Sequence, residues 1–244
     1  MEVLFWKFWR NKYLLQHTYS LIRGSSAIKA AKYGNLQAFR FSVLIGKNSD
    51  IMDEAAMWGQ LIILKWIHKT RKATCTEDAL ILASGNGHFD TVKWLVQNMN
   101  IVAPYNPLNR AIYGGHFDIA KWLWENYTCK ITQTSFMNAI EVGHVEIIDW
   151  LHGIKDVNNY RLVWSIDNAA KNGHLQMLKW LTKNYKGECT SRAMDYAAQK
   201  GHFQVVKWLH ENRREGCTMQ AFQWAEIYGH IDILTWLHKN IKIF

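Results

Sequence analysis

The chain of 244 residues has only two prolines and four cysteines, and no apolar run near the ~18–20 residues that span a bilayer. Each shortage excludes something. Two prolines rule out a collagen-like or proline-rich chain. Cys75, Cys129, Cys189 and Cys217 stand 54, 60 and 28 residues apart, too far for a zinc knuckle or a redox dithiol. Disulfides are not expected, which suits a reducing, intracellular compartment. Charges at Glu2, Lys7, Arg10 and Lys12 interrupt any secretory-leader core. No His-Glu-x-x-His, P-loop or nucleophile elbow occurs.

What is present is apolar and aromatic. A 49% hydrophobic fraction with 13 tryptophans excludes a disordered chain, which lacks the burial to offset its ordering entropy. The net charge of +9 comes from lysines and arginines spread along the whole length. With no basic tail and no RNA-binding signature, this reads as a solvated surface, and nucleic acid is not the expected partner.

The sequence is periodic. Glycine recurs at Gly34, Gly59, Gly87, Gly115, Gly143, Gly173, Gly201 and Gly229, in steps of 25 to 30 residues. From Gly87 onward each is followed by histidine: His88, His116, His144, His174, His202 and His230. Counting from the glycine, position −4 is always alanine (Ala30, Ala55, Ala83, Ala111, Ala139, Ala169, Ala197, Ala225). Position −7 is always apolar, from Ala27 and Met52 to Phe222. A spacing of three puts the two on one helical face, and an unvarying alanine marks a helix that approaches its neighbour closely. After the glycine, apolar pairs such as Val205-Val206, Ile147-Ile148 and Ile233-Leu234 stand at +4 and +5, and Leu or Ile stands at +8 in seven repeats, from Ile67 through Leu237. Position +7 is Phe41 and then Trp66, Trp94, Trp122, Trp150, Trp180, Trp208 and Trp236. This is the wide stripe of a buried helix face, so these tryptophans are expected inside. Position +11 is often asparagine (Asn98, Asn126, Asn184, Asn212, Asn240), which tolerates a left-handed helix terminus.

Each repeat is therefore a helix, a glycine turn, a second helix and a short connection. A unit of about 28 residues cannot bury its own apolar faces, so stacked neighbours supply the core. The fold class is all-α: a solenoid of about eight helix-turn-helix repeats over 25–244. At helix-pair spacings of about 8–10 Å it would extend on the order of 70–80 Å. Residues 1–24, with Phe5, Trp6, Phe8 and Trp9, read as an amphipathic helical cap over the open end. A membrane-surface role for that segment, or recruitment of a second partner such as a ubiquitin ligase, stays open.

At these residues the chain resembles the ankyrin repeat family. Ala197-Ala198-Gln199-Lys200-Gly201-His202 and Val206-Lys207-Trp208-Leu209 follow the family's Ala-Ala-x-x-Gly-His and Val-x-x-Leu wording, and Asn106-Pro107-Leu108-Asn109 keeps its opening. The Lys207 to His210 and Glu215 to Thr218 stretches are similar to the expanded ankyrin families of amoebae and large DNA viruses. The resemblance implies a non-enzymatic scaffold that binds a protein on the concave groove lined by the first helices. It implies no cofactor.

The histidines weigh against metal binding. Copies one repeat apart stand roughly 10 Å from each other, whereas zinc–nitrogen bonds are about 2.0–2.1 Å; a turn histidine bonding across the repeat junction is the expected role. A lysine column at +6 (Lys65, Lys93, Lys121, Lys179, Lys207) is broken by Asp149 and Thr235 and reads as a solvated outer face. The variable positions are −5 and −2, and packing does not dictate them. The candidate partner-binding residues are drawn from them: Arg110, Tyr113, Asn138, Glu141, Asn168, Lys171, Tyr196 and Trp224. Trp, Tyr and Arg are the residues that dominate interface hot spots. The expected partner is a protein, bound by a monomer in the cytoplasm, with no small-molecule substrate and no catalytic or metal site.

Overall fold

The structure is a computed structural model that describes residues 48–103, 107–154, 164–185 and 189–241. The 1–24 cap, the repeat around Gly34 with Lys29, Lys32 and Phe41, and residues 242–244 lie outside the described residues. All regular structure among the described residues is helical. The helices come in pairs: α1 Asn48–Met57 with α2 Leu61–Arg71, α3 Glu77–Gly85 with α4 Phe89–Asn98, α5 Pro107–Tyr113 with α6 Phe117–Asn126, α7 Gln133–Val142 with α8 Val145–Gly153, α9 Ser165–Lys171 with α10 Leu175–Asn184, α11 Ser191–Gln199 with α12 Phe203–Asn212, and α13 Met219–Ile227 with α14 Ile231–Asn240. They group into two units, Met1–Cys129 and Lys130–Phe244.

Within each unit the first helices pack on the first helices of the neighbouring repeats, and each packs on its own second helix. The close approach comes from position −4: Ala55, Ala83, Ala111, Ala139, Ala169, Ala197 and Ala225 are all fully buried. Position −7 fills the space beside it, with Met52, Leu80, Leu108, Phe136 and Ile166 also fully buried. Leucine or isoleucine at +8 closes the core from the second helix, from Ile67 through Leu237. Fully burying one such side chain stabilises by about 1.5–3 kcal/mol, and the repetition of the register makes the sum large.

The turn between the helices is dictated by glycine. Gly59, Gly87, Gly115, Gly143, Gly173, Gly201 and Gly229 all have positive φ, between 67° and 82°, a conformation that costs a residue with a Cβ roughly 1–2 kcal/mol. The histidine after it sends its backbone N–H back to the −4 alanine carbonyl, as His202 does to Ala197 at 2.9 Å and His230 to Ala225 at 2.8 Å. This is a Schellman-type termination of the first helix.

Two sequence expectations change here. The +7 tryptophans are half-buried, not interior: Trp66, Trp94, Trp122, Trp150, Trp180, Trp208 and Trp236 all keep an exposed edge. Their rings lie at the margin of the second-helix layer, where residues of the preceding repeat meet them edge-on. His68 meets Trp94 at 5.7 Å between centroids, His152 meets Trp180 at 5.4 Å and His210 meets Trp236 at 5.1 Å. Phe89 on Trp122 and Phe203 on Trp236 do the same from position +2. The +11 asparagines do not enter the left-handed region, because only Lys72 and Trp164 among the described non-glycine residues have positive φ. Instead the side-chain amide donates to the carbonyl four residues back: Asn98 to Trp94 at 2.9 Å, Asn212 to Trp208 at 2.8 Å and Asn240 to Trp236 at 2.7 Å. That satisfies one of the carbonyls a helix end leaves without a partner.

Candidate functional site

The variable positions are best understood from what the invariant ones do at each junction. The turn histidine reaches back one repeat with its ring. His88 donates from Nε2 to the Met57 carbonyl at 3.0 Å, His116 to Gly85 at 3.1 Å, His174 to Glu141 at 2.9 Å, His202 to Lys171 at 3.1 Å and His230 to Gln199 at 3.1 Å. A carbonyl only accepts, so each ring carries its proton on Nε2. Every acceptor is the −2 residue of the preceding repeat. The ring also fills the notch over the preceding glycine. A Cβ on Gly59, Gly87, Gly143, Gly173 or Gly201 would sit 2.5 to 2.7 Å from it. The bridging role expected for these histidines is thus observed. It also explains why position −2 varies: only its backbone oxygen is used, so its side chain is left to the surface.

A second junction contact went unread in the sequence. Asp53 accepts from the Thr76 backbone N–H at 2.9 Å and from its hydroxyl at 2.6 Å. Asp167 does the same with Thr190, at 3.0 and 2.7 Å, and Asp195 with Thr218, at 2.8 Å for both. The threonine in turn caps the next first helix, accepting from the backbone N–H two residues on. Asp167 and Asp195 are buried, 3% and 1% exposed. Burial pushes the Asp53 and Asp195 carboxyls above the usual carboxylate range, and the threonine hydrogen bonds only partly oppose this. The signal was available as an aspartate at −6 followed 23 residues on by threonine. At the cysteine before that threonine, burial pushes the Cys75 and Cys189 thiols up to about 12 and the Cys217 thiol up to about 11, which disfavours the thiolate.

With these contacts on the inner side, positions −9, −5 and −2 share the opposite face of each first helix. The second unit presents three such helices side by side. On α9 the face carries Trp164 just before the helix, then Asn168 and Lys171; on α11 it carries Arg192, Tyr196 and Gln199; on α13 it carries Gln220, Trp224 and Ile227. Tyr196 and Trp224 stack across the junction, with centroids 5.8 Å apart and planes 7° from parallel. Lys171 Nζ lies 5.7 Å from the Tyr196 ring centre, and the Arg192 guanidinium lies 5.6 Å from that of Trp164, within the range of cation–π attraction. Trp164 is 46% exposed and Ile227 73% exposed. The Trp164 indole and the Ile227 sec-butyl group are thus left in water at α9 and on α13, the helices either side of α11, and exposed large apolar groups of this kind are candidates for an interface.

Of the residues singled out from sequence, Lys171, Tyr196 and Trp224 come together in this cluster, with half-buried Asn168 beside them. Glu141 is exposed on α7 and Asn138 half-buried there. Arg110 and Tyr113 are exposed on α5, in the first unit, and are not part of this cluster. The Trp164–Arg192 pair was missed. Both stand at −9, a column not among those singled out from sequence, and Trp164 precedes α9 in a left-handed conformation, φ 64°. The +6 lysines of the second helices are partly occupied within their own helix, Lys93 over Phe89 at 3.9 Å and Lys207 over Phe203 at 4.3 Å.

Among the described residues no group of three or more His, Cys, Asp or Glu side chains is placed to hold a metal, and no helix is long and apolar enough to cross a membrane. Five of the turn histidines, His88, His116, His174, His202 and His230, have their Nε2 atoms committed to carbonyls.

Family models for ankyrin repeats match the chain over residues 27–135, 80–162, 166–210 and 194–238. The crystal structure of the human ASB11 ankyrin repeat domain is similar in fold, with a TM-score of 0.52 and 16% sequence identity, covering 75% of this chain and 96% of that one. No curated protein sequence matches.

Proposed function

The chain belongs to the ankyrin repeat family, whose members are protein-interaction modules and generally not enzymes, and from that premise we propose that it binds a protein partner on the face of its first helices, the concave side in the family it resembles. The observation that carries this reading is the division of labour within each repeat. Positions −7, −4, +1 and +8 are spent on the core and the junction, whereas −9, −5 and −2 vary and in the second unit carry aromatic and basic groups, exposed at Trp164, Lys171 and Arg192 and half-buried at Tyr196 and Trp224. The second unit offers the densest such group, Trp164, Lys171, Arg192, Tyr196, Trp224 and Ile227. Large aromatic side chains lose little conformational entropy on binding and contribute most to interface energy. Arg110 and Tyr113 on α5, and Asn138 and Glu141 on α7, extend the proposal to other first helices. In this reading 25–244 is the binding array and 1–24 covers its end.

Affinity purification from cells with quantitative mass spectrometry tests it. The wild-type chain is compared with a Y196A/W224A variant and with K179E, which alters the exposed second-helix face. The partner should be lost with the first variant and kept with the second; the reverse result would move the site to the second helices. Deleting 1–24 should lower the stability of the array if that segment is a cap.

A further inference from the structure

The charges on this face are not balanced. On α9 and α11 every exposed charged side chain is cationic: Lys171, Arg192 and, at the helix end, Lys200. The two acids of these helices, Asp167 and Asp195, are buried and turned to the threonines of the next repeat. Among the described residues none of the three cations has a carboxylate partner; the neighbouring ion pair, Arg213 with Glu215, joins residues beyond α12. Lys171 and Arg192 instead lie over aromatic rings. That holds the cations against the face while leaving N–H donors for an incoming group. Beside this basic centre, α13 carries Trp224 and, three residues on, the exposed Ile227. The face therefore has a cationic part over α9 and α11 and an apolar part over α13.

We infer that the partner is read through an acidic segment: carboxylates that pair with Lys171 and Arg192, followed by an apolar side chain seated beside Trp224 and Ile227. This rests on the first-helix reading given above and adds the chemistry of the partner. A single-stranded nucleic acid fits less well. Exposed Glu141 stands at −2 on α7, on the same face and on the helix next to the basic centre, where a phosphate backbone running across the face would meet it. The Tyr196 and Trp224 rings are already stacked on each other, so they offer no open pair of faces for bases.

The test is a selection of a random 16-residue peptide display library on the whole chain. The enriched peptides are then measured by fluorescence anisotropy on wild type, K171E/R192E, K171Q/R192Q and W224A, with circular dichroism to show that each variant is folded. The expected result is enrichment of peptides with net negative charge and an apolar residue. Affinity should fall about tenfold or more in K171E/R192E, fall less in the glutamine variant, and weaken with added salt. Neutral or basic peptides that lose affinity in W224A but not in K171E/R192E would overturn the acidic segment and leave the binding face standing. Peptides indifferent to all of these variants, no enriched peptide, or preferential binding of an oligothymidylate probe would overturn both.

Discussion

Gly201 and Gly229 occupy the same place in successive repeats and share the same left-handed backbone, φ +77° and +74°. They differ in what lies above them. A Cβ on Gly201 would fall 2.6 Å from the His230 ring, whereas a Cβ on Gly229 has no neighbour within 4 Å among the described residues. One glycine serves both the turn and the junction; the other serves the turn alone. The contrast separates two requirements that the sequence presents as a single conserved-looking letter. It also shows that the junction is built from a notch and a ring, with the hydrogen bond to the −2 carbonyl as its lock.

Substitution of the two glycines tests this contrast directly, and its effect is among the largest expected. Gly201→Ala combines left-handed strain with displacement of the His230 ring and should cost about 2–4 kcal/mol, while Gly229→Ala should cost only about 1–2 kcal/mol. Urea unfolding of both variants measures the difference, and equal losses would mean that the ring yields without cost. Next comes a comparison within α12. Leu209 is 2% exposed, and Leu209→Ala should cost about 2–5 kcal/mol. Trp208 is half-buried, so Trp208→Ala should cost less, about 1–2 kcal/mol, despite removing more atoms.

A smaller effect is set by pH. Burial pushes the His202 imidazole below its ordinary 6.5, and the charges of His174, His230 and Lys200 add to this, against the Lys171 carbonyl bond. The folded state thus holds fewer protons here than the unfolded one. The stability from neutral His202 is full above the unfolded value of 6.5 and is lost as pH falls through the window below it. Urea midpoints should drop between about pH 7.5 and about pH 5.5, and the drop should be smaller in H202N.

The smallest effect concerns Asp195. Its raised pKa means that the charged form is disfavoured by the fold, so this group alone adds stability as pH falls through its folded value. Asp195→Asn keeps an acceptor for the Thr218 N–H and removes the buried charge, and its stability should stay within about 1 kcal/mol of wild type. A loss above about 3 kcal/mol would show that the charge itself, not the hydrogen bonds, holds that junction.

The aspartate–threonine contact is also where legibility in the sequence ends. Ala197, Gly201, His202 and Leu209 were readable because each recurs at one fixed distance from a glycine and each repeats one physical task. Asp195 and Thr218 belong to different columns of adjacent repeats, and Ile81 and Met137 stand where the aspartate would be, so no single column displays the pair. The depth of Trp208 was not readable either. A helical apolar stripe reports which side faces inward, and residues at its margin look the same in sequence as residues at its centre. At the candidate site, Tyr196 and Trp224 were visible as variable aromatics in one column. Arg192 was not, because a lone arginine at −9 gains meaning only beside Trp164 at −9 of the preceding repeat, and cation–π contact between neighbouring helices leaves no mark in a single column.

The histidine bridge has a consequence for how such a chain can change. Since His202 holds on to the oxygen of Lys171 and His230 to that of Gln199, the identity of either side chain is irrelevant to the bond. The two positions can drift under selection for a new ligand while the stack keeps its geometry. A library randomised at 171, 199 and 227 should therefore yield mostly folded members, and recognition and stability should mutate as nearly independent traits.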